Sequence, residues 1–436
     1  MGDEMILNEE QKKVVYSNER FLFLLAGAGS GKTRVIVERI KYLIENGVEP
    51  SQILAITFTR KASFEMKDRV NNSLVHIHTF HQFCYQKLID DFKQEFKLID
   101  ENVISFKKEH LLEITKYKNS LYQLKKPRLY DAYQMNLANH QMKDFDDLLL
   151  GFYFKIRYVN HGYCYAYIFI DEFQDTNHLQ YELLKLLIKK NTNVLAVGDP
   201  DQSIYAFRGA SSQIINQYIK DYQAKLYTLS INYRSSPTIL YHANRLIKRN
   251  NRRYRNELIP NHVGIQKVYS IQFSNEIDEA EQLIALIYKL QKLKIKSEEI
   301  AVLYRNHQRS YELQKRMREL DVVFQTFDEN NNDEKHGIQM MTIHKAKGLE
   351  FDAVIIIGLE MGVLPSSHDN RQWELDEERR LMFVAMTRAR DHLYFSSIQK
   401  DTLYHTFTSS VFISESGLKT IKNSEINGII TVGEIT

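Results

Sequence analysis

Short unbroken apolar runs alternate along the chain with longer stretches in which apolar residues recur every three or four positions. The runs at 21–25, 53–57, 167–170, 194–197, 226–231, 301–304, 354–357 and 392–395 are rich in β-branched and aromatic residues. A strand buried on both faces reads this way, because every side chain meets an apolar neighbour whichever face it points to. Between these runs, 34–46, 179–190 and 279–292 carry the helical period. Strand and helix in alternation predict an α/β architecture of parallel sheets flanked by helices. No internal repeat or low-complexity tract interrupts the pattern. The segment 90–143 departs from it: polar, helical in period and rich in Lys and Tyr, with no convincing strand. It predicts a helical insertion. The polar stretch 328–336, Asp-Glu-Asn-Asn-Asn-Asp-Glu-Lys-His, predicts a surface loop.

Composition narrows the function classes. A chain of 436 residues suggests about three domains of ~150 residues, or two larger ones. Basic residues number 58 and acidic 55, for a net charge of +3, with 43% hydrophobic and 26% charged residues. These values exclude a disordered chain and a packaging protein coated in positive charge. A basic groove fits inside a balanced total, so a nucleic-acid partner stays open. Two cysteines, Cys84 and Cys164, are too few for a disulfide framework, a four-cysteine zinc site or an iron–sulfur cluster. No apolar run approaches the ~18–20 residues of a membrane span, and Met-Gly-Asp-Glu-Met lacks the basic and apolar regions of a signal peptide. A cytoplasmic protein with no membrane partner is expected.

Glycine is scarce, so its clusters matter. After the run 21–25 comes Ala26-Gly27-Ala28-Gly29-Ser30-Gly31-Lys32-Thr33-Arg34, then helical period. Small residues let the backbone wrap a phosphate chain, with successive N–H groups and the helix N-terminus facing the anion. Lys32 is placed to bridge the outer phosphates, and Thr33 to offer its hydroxyl to Mg²⁺. Ala26 stands where the strict pattern has glycine. Further on, an apolar strand ends in Asp171-Glu172-Phe173-Gln174-Asp175. Asp171 is placed to hold the Mg²⁺ shell and Glu172 to orient and deprotonate a water. A third strand ends in Gly198-Asp199-Pro200-Asp201-Gln202-Ser203, where Gln202 could sense the γ-phosphate. Asp199 and Asp201 leave open a two-metal nuclease reading, but such sites draw carboxylates from several elements. His76, His78 and His81 invite a metal reading, although their spacing follows a strand and no further ligand cluster accompanies them.

These residues, with others in order along nearly the whole chain, resemble the UvrD/Rep-like superfamily 1 DNA helicases. Leu7-Asn8-Glu9-Glu10-Gln11 is similar to the adenine-reading Q motif. Ile56-Thr57-Phe58-Thr59-Arg60-Lys61-Ala62 and Thr79-Phe80-His81 resemble two DNA-contact motifs, and Asp171 to Thr176 the Walker B segment. Gly198 to Ala210 resembles motif III, Asn232-Tyr233-Arg234-Ser235 motif IV, and Thr342 to Phe351 motif V. Glu377 to Leu381 with Val384 to Ala389 resembles motif VI. The resemblance implies two RecA-like P-loop NTPase domains, 1–225 with the insertion at about 90–143 and 226–436, with ATP in the cleft between them. It implies that Arg234 and Arg388 act as arginine fingers, an effect that reaches ~10³–10⁵ in rate. Tyr233 would stack on adenine, Gln11 would read its edge, and Glu350 would hold the ribose. The alternative for both arginines, and the reading for Arg390, is a surface salt bridge.

The implied partner is single-stranded DNA or a tailed or forked duplex. Aromatic faces take bases and basic groups take phosphates in such binding. Tyr205 and Phe207 are the stacking candidates, with Phe58, Thr79, His81 and His344 as further contacts. Phe207 could instead pack in a core. The basic run 244–255 could line a DNA track or simply be a solvated face. Family members carry a large insertion in each motor domain. Here the first is short and 306–339 leaves no room for the second. The resemblance therefore implies a DNA-stimulated ATPase moving 3′→5′ on single-stranded DNA. The alternative is a motor subunit that needs a nuclease or repair partner.

Overall fold

The computed structural model describes residues 7–100, 106–159, 163–206, 209, 213–251, 254, 256–261, 268–326, 336–366 and 372–422. The chain divides into two compact units, Met1–Gly27 with Gly31–Leu229, and Ala28–Ser30 with Ser230–Thr436. No helix among the described residues is long and apolar enough to cross a membrane.

The first unit runs α1 (Glu9–Val15), β1 (Phe21–Ala26), α2 (Lys32–Glu45), β2 (Ile53–Thr57), α3 (Arg60–Val70), β3 (His76–Thr79) and α4 (Phe80–Asp90). It continues with β4 (Lys97–Leu98), α5 (Lys108–Asn119), α6 (Tyr130–Asn139), β5 (Met142–Lys143) and α7 (Phe145–Tyr158). It closes with β6 (Tyr167–Ile170), α8 (His178–Leu187), β7 (Asn193–Gly198), α9 (Gln213–Tyr222) and β8 (Lys225–Leu229). Six strands lie in the order β3-β2-β6-β7-β1-β8, every neighbouring pair parallel. Parallel neighbours need crossovers, and the helices supply them while covering both faces, which is why the strand sequences are apolar throughout. Leu22, Leu24 and Ala26 pack with Val35, Ile36 and Ile40 of α2 and Met66 of α3. Phe23, pointing the other way, meets the ring of Phe173 at 6.2 Å. The chain leaves β1 toward β2 and later returns to β8 on the opposite side. The carboxyl end of β1 therefore lies where strand order reverses, the place where open parallel sheets hold ligands.

The segment 90–143 does hold two helices, with a small core of Ile114, Tyr133 and Leu137. Contrary to expectation it also holds strands: β4 and β5 pair in parallel, Lys97 with Met142 and Leu98 with Lys143. Two residues each are too few to leave a periodic trace. Lys118, fully buried, ties the insertion to α7 through Asp144 and Asp147, both at 2.6 Å. Tyr133 also donates to Asp144, at 2.9 Å.

The second unit runs β9 (Ile231–Asn232), α10 (Pro237–Ile247), β10 (Ile259–Pro260), β11 (Val268–Phe273), α11 (Glu276–Lys292), β12 (Ile300–Tyr304) and α12 (Tyr311–Glu319). There follow β13 (Phe324–Thr326), β14 (Ile338–Thr342), β15 (Phe351–Ile356), α13 (Gln372–Met386), β16 (Ala389–Ile398), α14 (Val411–Glu415) and β17 (Thr420–Lys422). Its sheet, order β13-β14-β12-β15-β16-β11-β17, is likewise parallel throughout. Four of these strands, β11, β13, β14 and β17, and the first unit's β3 extend the sequence pattern. Polar residues interrupt β3, Met and Gln dilute β14, and β13 and β17 are short edge strands. The run 226–231 is split: Lys225–Leu229 pairs with β1, while Ile231 and Asn232 pair with Ile259 and Pro260. The division between units accordingly follows Leu229 rather than residue 225. The polar loop expected at 328–336 lies outside the described residues except for His336.

Removing the Lys118 ammonium would leave buried Asp144 and partly buried Asp147 without their cation. Lys118→Met is expected to cost the protein about 3–5 kcal/mol, read from urea unfolding curves of variant and wild type.

Candidate nucleotide and nucleic-acid site

β1 ends at Ala26, whose methyl is fully buried in the core beside α2. Alanine in place of glycine is thus absorbed by packing and leaves the turn after it intact. Gly29 and Gly31 have φ of +63° and +85°, a region open to glycine without strain. Gly31 caps α2 and brings no side chain of its own to the first N–H groups of the helix. A Cβ on Gly31 would lie 2.9 Å from Gln11 Nε2. Gln11 is buried there by a capping box, its N–H donating to Asn8 Oδ1 at 2.8 Å and its Oε1 accepting from Asn8 N at 3.1 Å. Gln11 and the loop are therefore neighbours, as the Q-motif reading expects. Thr33 and Arg34 follow Lys32 in the first turn of α2, both partly buried.

Lys32 Nζ pairs with Glu172 Oε1 at 2.8 Å, joining the turn after β1 to the turn after β6. Glu172 has φ +51°, a left-handed conformation held by its surroundings. Asp171, 7% exposed, accepts the Glu172 N–H through Oδ1 at 2.9 Å. At the end of β7, Asp199 Oδ1 accepts from Asp201 N at 3.0 Å and Oδ2 from Gln202 Nε2 at 2.6 Å. Burial pushes the Asp199 carboxyl above its usual range, and the charge of Lys32 opposes this. Asp199 thus organises its own turn.

Two DNA-contact candidates come together. Phe58, after β2, and Tyr205, after β7, face each other at 5.0 Å between centroids with planes 30° apart. Both are partly exposed. Thr79 is buried and its hydroxyl caps α4, accepting from Gln82 N at 3.2 Å. His81 lies edge-on to Phe145 at 5.7 Å, and His344 sits in the turn after β14. Phe207 lies outside the described residues. Burial depresses His78 to about 4, so it brings no positive charge to this surface at neutral pH. Among the described residues no group of three or more His, Cys, Asp and Glu is arranged to hold a metal ion.

In the second unit, Asn232 Nδ2 donates to Ala28 O at 2.6 Å and Tyr233 N to Gly29 O at 2.8 Å. Arg234 Nε meets Glu350 Oε2 at 2.5 Å, and Arg390 meets Glu350 Oε1 at 2.7 Å. Arg390 also reaches Asp352 at 2.8 Å and Glu299 at 3.2 Å. It is a salt-bridge arginine as expected, but one that holds a candidate ribose ligand. Burial raises the Glu350 carboxyl, yet the two arginines outweigh it and bring it down to about 2. Arg388 is 2% exposed, so the surface salt-bridge alternative fails for it. It donates to Val384 O at 3.0 Å, Leu349 O at 3.2 Å and Thr387 Oγ1 at 3.2 Å. In the basic run, Lys248 pairs with Glu257 at 2.6 Å, while Arg252, Arg253 and Arg255 lie outside the described residues.

Residues 11–208 match the model of an AAA domain, and 227–331 with 326–400 match the UvrD-like helicase C-terminal domain. A probable DNA helicase of Mycoplasma pneumoniae is 32% identical, over 93% of this chain and 86% of the relative. The chain belongs to the UvrD/Rep-like superfamily 1 helicases. The ATP-dependent DNA helicase PcrA of Staphylococcus aureus strain Mu50 is 37% identical over 70% of this chain and 48% of its own length. PcrA of Staphylococcus epidermidis is 36% identical over 73% and 50%. The chain thus spans about half the length of these PcrA relatives.

For this UvrD-like chain the two parallel sheets are its RecA-like units. Two residues of the site escaped the sequence reading. Gln174 lay inside a quoted motif without a role, and Arg390 looked peripheral until the fold brought Glu350 to it.

The Glu350 pair has a pH signature. Its folded pKa lies below the ordinary 4.5, so its stabilisation is complete above 4.5 and lost as pH falls toward 2. The stability gap between wild type and Glu350→Gln, measured by urea unfolding, is expected to be flat above pH 5 and to shrink below 4.5.

Proposed function

We propose that this chain is an ATP-dependent DNA helicase, a motor that hydrolyses ATP as it moves 3′→5′ along single-stranded DNA in the cytoplasm. One observation carries the reading. The Lys32–Glu172 pair and the Phe58–Tyr205 pair both sit at the carboxyl edge of the β2-β6-β7-β1 strands. Phosphate chemistry and a stacking surface thus share one sheet edge.

In this reading the N–H groups of Gly27 to Thr33 cradle the phosphates, and Lys32 trades Glu172 for the outer phosphate oxygens. That exchange frees the Glu172 carboxylate to orient water and take its proton. Thr33 and Asp171 offer hard oxygen donors of the kind Mg²⁺ prefers, and they would hold it. Mg²⁺ supplies neutralisation of phosphate charge when bound. Gln202 reads the γ-phosphate, while Arg234 and Arg388 stabilise charge developing on it. Gln11 and Tyr233 take the adenine. Glu350 keeps Arg234 oriented, and a ribose hydroxyl would share its carboxylate.

Bases stack on Phe58 and Tyr205, and the family resemblance adds Phe207, Thr79, His81 and His344 as further DNA contacts. Stacking accepts any base, so binding is indifferent to sequence. The polarity rests on the family.

Strand displacement on forked, 3′-tailed and 5′-tailed duplexes tests both activity and direction. Unwinding of forked and 3′-tailed substrates with ATP, and none of the 5′-tailed one, is expected. Displacement from the 5′ tail alone would reverse the assigned direction, and displacement without ATP would refute the motor.

A further inference from the structure

Gln174 is fully buried between the two halves of this site, and its amide has no choice of orientation. Its Nε2 donates to Glu172 Oε2, and its Oε1 accepts from Asp199 N at 2.9 Å. A carboxylate takes only a donor and a backbone N–H only an acceptor, so the partners fix which end is which. Ser203 Oγ donates to the Gln174 carbonyl at 3.3 Å, two residues before Tyr205. Gly198 leaves the room for this: a Cβ there would stand 2.7 Å from Gln174 Oε1 and 3.2 Å from its backbone N. One side chain therefore grips the Glu172 carboxylate at one end and the start of the Asp199–Tyr205 segment at the other.

We infer that Gln174 is a positioning residue that ties the placement of Glu172 to the conformation of the segment carrying Tyr205. This rests on the ATPase reading above. When Lys32 leaves Glu172 for phosphate, Gln174 still holds Oε2. A base stacking on Tyr205 shifts the segment, and the shift reaches Glu172 through one amide. The side chain is fully buried, so its loss should appear in turnover and not in binding. Misplacing a catalytic group by about 1 Å costs up to about 10²-fold in rate.

Steady-state phosphate release from the full chain, with and without oligothymidine, tests this. Gln174→Leu keeps the bulk and removes both hydrogen bonds. It is expected to lower kcat with DNA about 10- to 100-fold, leave KM for ATP and oligothymidine affinity unchanged, and bring DNA stimulation toward one. Gln174→Glu sets a like charge against Glu172 and is expected to move the acid limb of the kcat–pH profile up by about one unit or more. If the leucine variant fails to fold by circular dichroism, the glutamate variant decides. Variants with unaltered stimulation and pH profile, or with KM rising in step with the loss, overturn the link alone. A wild-type chain without ATP hydrolysis overturns the ATPase reading and the link with it.

Discussion

Every strand of the first sheet runs the same way, and the rest of the site follows from that constraint. Parallel pairing sends the ends of β1, β2, β6 and β7 to one edge. The residues after those ends are the phosphate loop, Phe58, Asp171 with Glu172, and Asp199 with Gln202. None of these segments contacts the others through local sequence. An antiparallel neighbour would have placed its turn at the far edge. The helices that make parallel pairing possible also bury the strands on both faces, so the edge is rigid and only the loops beyond it are free to adapt.

Polar groups at that edge are held in a particular order. Lys32 holds one oxygen of Glu172 and Gln174 the other. Asp199 holds Gln202, and its own N–H is held by Gln174. Buried polar groups demand partners, and here Lys32–Glu172 and Gln174–Asp199 join different strand ends. The second unit repeats the device with Glu350 between Arg234 and Arg390. In both places an acid lies between two groups that orient it: a cation and an amide at Glu172, two cations at Glu350. Exchange of partners on phosphate binding is what the proposed function asks of that arrangement.

The sequence made much of this legible. The phosphate loop could be read because glycine spacing and the Lys-Thr pair act locally, within one turn. Asp171 and Glu172 could be read because they end an apolar run. Gln174 could not be assigned, since its partner Asp199 arrives from another strand. Arg390 seemed peripheral because Glu350 lies on a separate element. Thr79 was legible as polar at a strand end, but its hydroxyl caps α4, which the sequence leaves open between cap and contact. Among strands, the apolar runs were recognisable, whereas β3 and β14 dilute theirs with His, Gln and Met. The pair β4 and β5 was invisible at two residues each.

The central claim is that one sheet edge both hydrolyses ATP and responds to DNA. Phosphate release by the wild-type chain and by Lys32→Ala, each with and without single-stranded oligothymidine, tests it most directly. The account predicts that DNA raises the wild-type rate severalfold or more and that Lys32→Ala is inactive in both conditions. A wild-type rate that DNA leaves at its basal value, or a Lys32→Ala variant as active as wild type, would contradict it.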